Sequence, residues 1–190
     1  VLKYEPGTVI LCDQAESALH DMQLEIEEKY PDADIKIFIG NIQTLKRMQV
    51  LFTRYRPQII FHAAAYKHVP MMEWNPGEAI KNNLLATHLL GELAAEYGVE
   101  ALVMTSTDKA VRPTSIMGAT KRVAELALQD LNARFPSTRY VAVRFGNVIG
   151  SAGSVVPIFR DQIRRGGPVT VTHPEMTRYF MTIPEAAQLV

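Results

Sequence analysis

The chain has 190 residues, 47% of them hydrophobic and 21% charged, enough for one domain with a substantial core. Twenty basic residues balance twenty acidic ones, so no bulk field draws it to nucleic acid or to an anionic surface, and nucleic-acid binding is not expected. Cys12 is the single cysteine and can close no internal disulfide, which points to a reducing, cytoplasmic compartment; no apolar run reaches the ~20 residues of a spanning helix, and no signal peptide opens the sequence.

Strands and helical patterns alternate along the chain. Thr8–Asp13 reads as a short apolar strand ending in an acid, followed by a helical pattern over Glu16–Tyr30. Ile35–Gly40 is a second strand, and Leu45, Met48, Leu51 and Phe52 give a second helical stripe. Gln58–Ala65 is a third strand. One long helix is predicted over Gly77–Tyr97, with Gly98 as its stop. Ala101–Thr107 is a fourth strand, Ile116–Phe135 a helix closed by Pro136, and Tyr140–Phe145 a fifth strand. Val155–Arg165 reads as helical, Val169–Thr172 as a last short strand, and Ile183–Val190 as a helix start with Pro184 in its first turn.

Repeated strand–helix–strand units predict an α/β fold with a doubly wound, mostly parallel, Rossmann-like sheet. Residues 1–150 are expected to form a dinucleotide-binding domain, incomplete at its N-terminus, and residues 151–190 the start of a substrate-binding region. Val1 is not a Met and the last helical pattern stops short, so both ends read as cut. The phosphate-cradling Gly-x-Gly-x-x-Gly is absent, since Gly7 is the only glycine before Gly40. A chain beginning at the second strand of such a fold would lack that loop. It would also leave the Thr8–Asp13 and Gln58–Ala65 strands each without a neighbour.

Asp13, at the end of the first strand, has two readings. It can accept hydrogen bonds from an adenosine ribose, which favours NAD over NADP because a 2′-phosphate would be repelled, or it can open the next helix. Ala63, Ala64 and Ala65 leave room for a flat cofactor after the third strand. His62, Lys67 and His68 argue against a metal, because Lys67 would repel a cation and Glu73 is the only carboxylate nearby; Lys67 suits a cofactor and substrate wall better. Asn82 and Asn83 inside a helix call for partners, either backbone or an active-site network.

The richest stretch is Thr105–Lys121. Thr107, Asp108 and Lys109 stand at a strand end, and Met117 and Lys121 share one helix face at i,i+4 spacing. In an open α/β sheet that edge is where ligands bind. Lys121 can reach a cofactor ribose or simply be solvated. Asn147 and Ser154, among Gly146, Gly150 and Gly153, suit an anion or sugar-nucleotide site, and Arg178 can pair with a phosphate or form a surface salt bridge.

Five segments carry a resemblance: His62-Ala-Ala-Ala-Tyr-Lys-His-Val-Pro70, Ser106-Thr-Asp-Lys-Ala110, Met117-Gly-Ala-Thr-Lys121, Arg144-Phe-Gly-Asn-Val148 and His173-Pro-Glu-Met-Thr-Arg-Tyr-Phe180. Together they resemble the extended short-chain dehydrogenases/reductases, in the bacterial polysaccharide-biosynthesis branch of CapD-type nucleotide-sugar 4,6-dehydratases. The resemblance covers most of the chain from about residue 58 onward. It implies NAD as a bound cofactor, with NADP less favoured, and a UDP-sugar as substrate. It also implies a homo-oligomer, and a full-length protein in the cytoplasm or held at the cytoplasmic face of the inner membrane by an N-terminal region. The wider superfamily uses a Tyr-x-x-x-Lys pair. Met117 holds the Tyr place here, as in large membrane-anchored dehydratases, and a thioether carries no exchangeable proton.

By matching position, the resemblance assigns Lys109 as base at sugar C5, Asp108 as acid toward the C6 hydroxyl, Thr107 as the partner of the C4 oxygen and Lys121 as the holder of the nicotinamide ribose. A lysine base must shed a proton whose ordinary pKa is ~10.4, and desolvation with neighbouring positive charge would help. A nucleotide-sugar 4-epimerase and a non-catalytic NAD- or sugar-nucleotide-binding module remain as alternatives. Nothing in the residues selects the sugar.

Overall fold

The computed structural model describes residues 1–151, 155–171 and 173–190. The described elements follow the predicted strand–helix alternation through the fifth strand, while the two short strands Asn147–Val148 and Phe180–Met181 are not expected from the sequence. Strand β1 (Val9–Asp13), α1 (Glu16–Lys29), β2 (Ile35–Ile39), α2 (Leu45–Tyr55) and β3 (Ile59–His62) come first. Helices α3 (Val69–Trp74) and α4 (Pro76–Ala79) follow, then a π-helical turn (Ile80–Leu85) and α5 (Ala86–Glu96). Strand β4 (Ala101–Thr107), α6 (Ile116–Arg134), β5 (Arg139–Phe145), β6 (Asn147–Val148), α7 (Val155–Arg164), β7 (Phe180–Met181) and α8 (Ile183–Leu189) complete the order.

All the ladders are parallel. β1 pairs β2, with Val9 opposite Ile35 and Asp13 opposite Ile39. β4 is central to a second sheet in the order β3-β4-β5, with His62 opposite Met104, and Thr107 opposite Phe145 where β4 and β5 end. β6 and β7 share a ladder of two residue pairs. No ladder joins β1 to β3 among the described strands, as expected for those two lacking a common neighbour. Side chains bridge the gap instead. Phe38, Met48 and Phe52 from the β1–β2 half pack in one core with Leu90 and Leu93 of α5, Leu102 and Met104 of β4, and Leu128 and Leu131 of α6. Both faces of β4 are covered, so Ala101–Met104 are all buried and read as a continuous apolar run.

Four differences from the sequence pattern have physical causes. The predicted Gly77–Tyr97 helix widens into the π turn, which turns two successive asparagines, Asn82 and Asn83, into the interior. Gly98, at φ 71°, ends the run as expected. The third strand stops at His62, where its ladder with β4 ends, so Ala63–Ala65 lie beyond it. Val69–Trp74 is helical because Pro70 sits in the first turn, where its missing N–H costs nothing. Val169–Val171 pairs with no strand and is irregular, while Thr172 lies outside the described residues. At the chain's end Thr182 and Glu185 form a reciprocal capping box that starts α8.

Candidate active site

The C-terminal edge of β4 carries the polar strip. Thr107 leaves the strand in an extended conformation (φ −142°, ψ 153°), and its Oγ1 accepts from the Lys109 backbone N–H at 3.3 Å. That bond folds Asp108–Ala110 into a 3-10 turn instead of a longer loop. Thr107 Oγ1 donates to Asp108 Oδ1 at 2.9 Å. Lys109 Nζ donates to the same oxygen at 2.9 Å and to Asn147 Oδ1 at 3.1 Å. Burial alone would push the Asp108 carboxyl up; hydrogen bonds from Lys109 and Thr107 outweigh it and hold the group below its ordinary value.

Helix α6 backs onto this turn. Ser115 caps it by accepting from Gly118 N–H at 3.2 Å. At Gly118 a side chain would run into the Lys109 carbonyl oxygen, so only glycine lets the helix approach this closely. The approach places Met117 and Lys121, both buried, along a cavity of about 410 Å³ whose lining includes Thr107, Lys109 and Asn147. Lys121 is 4% exposed, yet its ammonium has no hydrogen-bond acceptor among the described residues. Burial pulls its pKa down to about 8, with Glu125 opposing that fall. Met117 packs with Met72 and Ala79 and makes an apolar wall.

His62 lies beneath the same edge. Burial, reinforced by the charge of Lys121, pushes its pKa down to about 3, so the imidazole is neutral. Its Nε2 is 2.8 Å from Thr87 Oγ1, whose own proton goes to the Asn83 carbonyl at 2.8 Å; Nε2 must therefore carry the hydrogen. Asn83 receives the Tyr66 N–H at 2.8 Å and donates to the Tyr66 carbonyl at 3.0 Å, pinning the loop that carries Ala65 and Lys67 into the cavity lining.

The structure thus brings Thr107, Lys109, Met117, Lys121, Ala63, Ala65, Lys67 and Asn147 to one cavity, with Asp108 hydrogen-bonded to two of them. Ala64 is exposed and is not part of that lining. Asp13 stands exposed at the end of β1, its Oδ1 accepting from Ala15 N–H at 2.8 Å, so the helix-opening contact is made. Arg178 is exposed, donates to the Thr177 carbonyl and does not reach the cavity lining. Ser154 lies outside the described residues. Sequence reasoning passed over His62 as a buried neutral donor, and also Glu125, whose position four residues after Lys121 on one helix face was the available signal.

A family model described as polysaccharide biosynthesis protein matches residues 1–190. The chain belongs to this family. It is 50% identical over 191 residues to the capsular polysaccharide biosynthesis protein CapD of Staphylococcus aureus, which covers 100% of this chain and 32% of CapD. It is 33% identical to the inverting UDP-N-acetylglucosamine 4,6-dehydratase of Campylobacter jejuni (98% of this chain, 55% of that protein). It is 35% identical to the UDP-glucose 4-epimerase of Rickettsia massiliae (88% and 49%). The chain therefore spans from about a third to just over half of these relatives' lengths. Among solved structures, Pen from Bacillus thuringiensis superposes with a TM-score of 0.91 at 34% identity, covering 99% of this chain and 59% of that one. The polysaccharide-biosynthesis resemblance and the Rossmann-like α/β class both hold.

Proposed function

We propose that this chain carries the catalytic strip of a nucleotide-sugar 4,6-dehydratase that acts on a UDP-sugar with bound NAD in the cytoplasm. One observation carries the reading: a carboxylate–amine pair, Asp108 and Lys109, stands at the edge of the cavity that Lys121, 4% exposed, also lines. An ammonium drawn this far from bulk water, with burial pulling its pKa down, is well placed to take a ligand oxygen as partner. The residues fit a dinucleotide on that ground: Lys121 would hold the nicotinamide ribose, the small Ala63 and Ala65 leave room beside the sheet edge, and the Asp13 carboxylate favours the unphosphorylated ribose of NAD. When bound, NAD supplies the hydride acceptor for sugar C4 and returns that hydride at C6.

The chain's own residues do the acid–base work. Thr107 Oγ1 hydrogen-bonds the C4 oxygen. Asp108 and Lys109 share one proton across a 2.9 Å hydrogen bond. As an ion pair neither is ready, because the base is protonated and the acid is ionised. Moving that proton from Nζ to Oδ1 changes no net charge and gives a neutral amine and a carboxylic acid together. Substrate closing over the cavity excludes water and favours the neutral pair. The C4 hydroxyl proton leaves past Thr107 Oγ1 to solvent as the hydride departs. Lys109 takes the C5 proton and Asp108 protonates the departing C6 hydroxyl. Once the hydride reaches C6, the Lys109 ammonium returns a proton to C5, and uptake of one proton from solvent restores the ion pair. Asn147 Oδ1 keeps the Lys109 amine aimed throughout. Met117 contributes shape and no proton.

The test is turnover of UDP-N-acetylglucosamine by the full-length protein in D2O. A 4-keto-6-deoxy product with deuterium at C5 is expected, and Lys109→Ala should abolish the exchange; undiminished exchange in that variant sinks the assignment. The second reading is a nucleotide-sugar 4-epimerase, favoured by the likeness to the Rickettsia enzyme. It predicts a C4-inverted sugar that keeps its C6 hydroxyl and its C5 hydrogen.

A further inference from the structure

Glu125 is 3% exposed, and no step above uses it. Its carboxylate collects four donors from three elements. Ser106 Oγ donates at 2.7 Å from the end of β4, Arg144 Nε and Nη2 at 2.8 and 2.5 Å from the end of β5, and Arg122 Nη1 at 3.0 Å from α6 itself. Burial pushes its pKa up, but Arg144, Ser106 and Arg122 together bring it down to about 2, so it is ionised. Ser106 and Arg144 are also register partners in the β4–β5 ladder, so the carboxylate grips the two strands at one level. Ser106 directly precedes Thr107, Asp108 and Lys109; Arg144 lies three residues before Asn147; and Lys121 is one helical turn before Glu125 on the same face of α6.

We propose that Glu125 is a positioning residue: its one carboxylate ties the ends of β4 and β5 to the inward face of α6, so that Lys109, Asn147 and Lys121 meet around one cavity. The inference rests on the reading of Lys121 as the residue that holds the cofactor ribose. Charged and titratable groups around Lys121 are His62 from β3, neutral as shown, Glu125 on its own helix with Arg144 and Arg122 upon it, and Lys109, ion-paired with Asp108, and Lys67 across the cavity. Only Glu125 among them stabilises the ammonium. Removing its charge therefore lowers the pH at which Lys121 deprotonates. Removing Arg144 leaves the carboxylate less neutralised and raises that pH.

The experiment measures NAD affinity of the full-length protein by calorimetry from pH 6 to 10, for the wild type, Glu125→Gln and Arg144→Met. Wild-type affinity should decline above about pH 8 as Lys121 loses its proton. In Glu125→Gln the affinity at pH 7 should fall at least ~10-fold and the midpoint of the decline should move down; in Arg144→Met the midpoint should move up. Opposed shifts are a signature that general loosening cannot give. Midpoints that move together or not at all, or NAD affinity in Glu125→Gln within twofold of wild type, overturn the proposal. Should Glu125→Gln fail to fold, Arg144→Met with Ser106→Ala carries the test, a rise in midpoint in both supporting it and no rise refuting it. Because NAD titration needs no turnover, a protein whose variants show these shifts but whose wild type makes no 4-keto-6-deoxy sugar refutes the dehydratase reading alone. A wild type without NAD affinity refutes both.

Discussion

Substituting Gly118 by Ala sets two effects of known size against each other. Within a helix Ala is better than Gly by about 0.8–1.0 kcal/mol, so propensity favours the change. The added methyl, however, meets the Lys109 carbonyl oxygen, with the Lys109 carbonyl carbon and Ser115 Oγ each at 3.2 Å. Overpacking of this kind costs about 1–3 kcal/mol, and the upper part of that range applies because backbone must yield, not a rotatable side-chain tip. The net is a loss of roughly 1–2 kcal/mol, or a melting temperature lower by about 2–8 °C in a domain of this size. Activity should suffer more, since pushing the turn moves Lys109, and a shift near 1 Å can cost about 100-fold. Gly77→Ala is the control: nothing lies within 4 Å of its methyl, so the same propensity gain should appear unopposed as a higher melting temperature. Gly91→Ala should fall between them, because its methyl meets the flexible tip of Leu131. Calorimetric melting and steady-state turnover of the three variants decide the matter. A Gly118→Ala protein that melts at or above wild type with undiminished turnover would refute the claim that backbone contact between α6 and the strip fixes the site.

Met117→Leu should keep turnover within a few-fold and cost under about 1.5 kcal/mol, whereas Met117→Ala should lose about 2–5 kcal/mol in denaturant melts; a collapse of activity in the Leu variant would show that the thioether does chemistry. Lys121 makes stability depend on pH in a fixed direction. Its folded value, about 8, lies below the ordinary 10.5, so the penalty for burying the charged form is fully present below pH 8 and fades as pH rises toward 10.5. Lys121→Met should therefore raise stability at pH 7 by on the order of 3 kcal/mol and flatten the rise between pH 8 and 10.5, while abolishing turnover. A Met variant less stable than wild type at pH 7 would contradict that account.

The five longer strands were legible because each is rich in apolar, mostly β-branched residues, and β4 most of all, being covered on both faces; β6 and β7, two residues each, carry no such signal. The strip at its end was legible for the same reason: once the strand is placed, Thr107, Asp108 and Lys109 fall at the edge where ligands bind. Asn82 and Asn83 were legible as a problem but not as a π turn. Their solution depends on Gln43, Tyr66 and Thr120, which are remote in sequence and contribute no periodicity. Glu125 escaped notice because a glutamate in a helix reads as solvated; the donors that bury it arrive from β4 and β5. Val169–Val171 failed in the opposite sense. Its residues suit a strand, but a strand needs a partner ladder, and tertiary context supplies none there.

The two-residue ladder between β6 and β7 gives the cavity unequal walls. On one side stand β4 and α6, clamped by backbone contact and by the bonds that gather on the buried Glu125 carboxylate. On the other, Asn147 faces Phe180 and Val148 faces Met181 in a ladder too short to resist opening, and α7 beyond it buries no residue among those described. Local opening there should cost little free energy compared with unfolding of the core. A sugar nucleotide entering this cleft must order that soft side, so part of its binding energy is spent on stiffening the protein. Backbone amides of Asn147–Ile149 should then exchange with solvent quickly in the free protein and slow sharply when substrate binds, while those of β4 stay slow in both states.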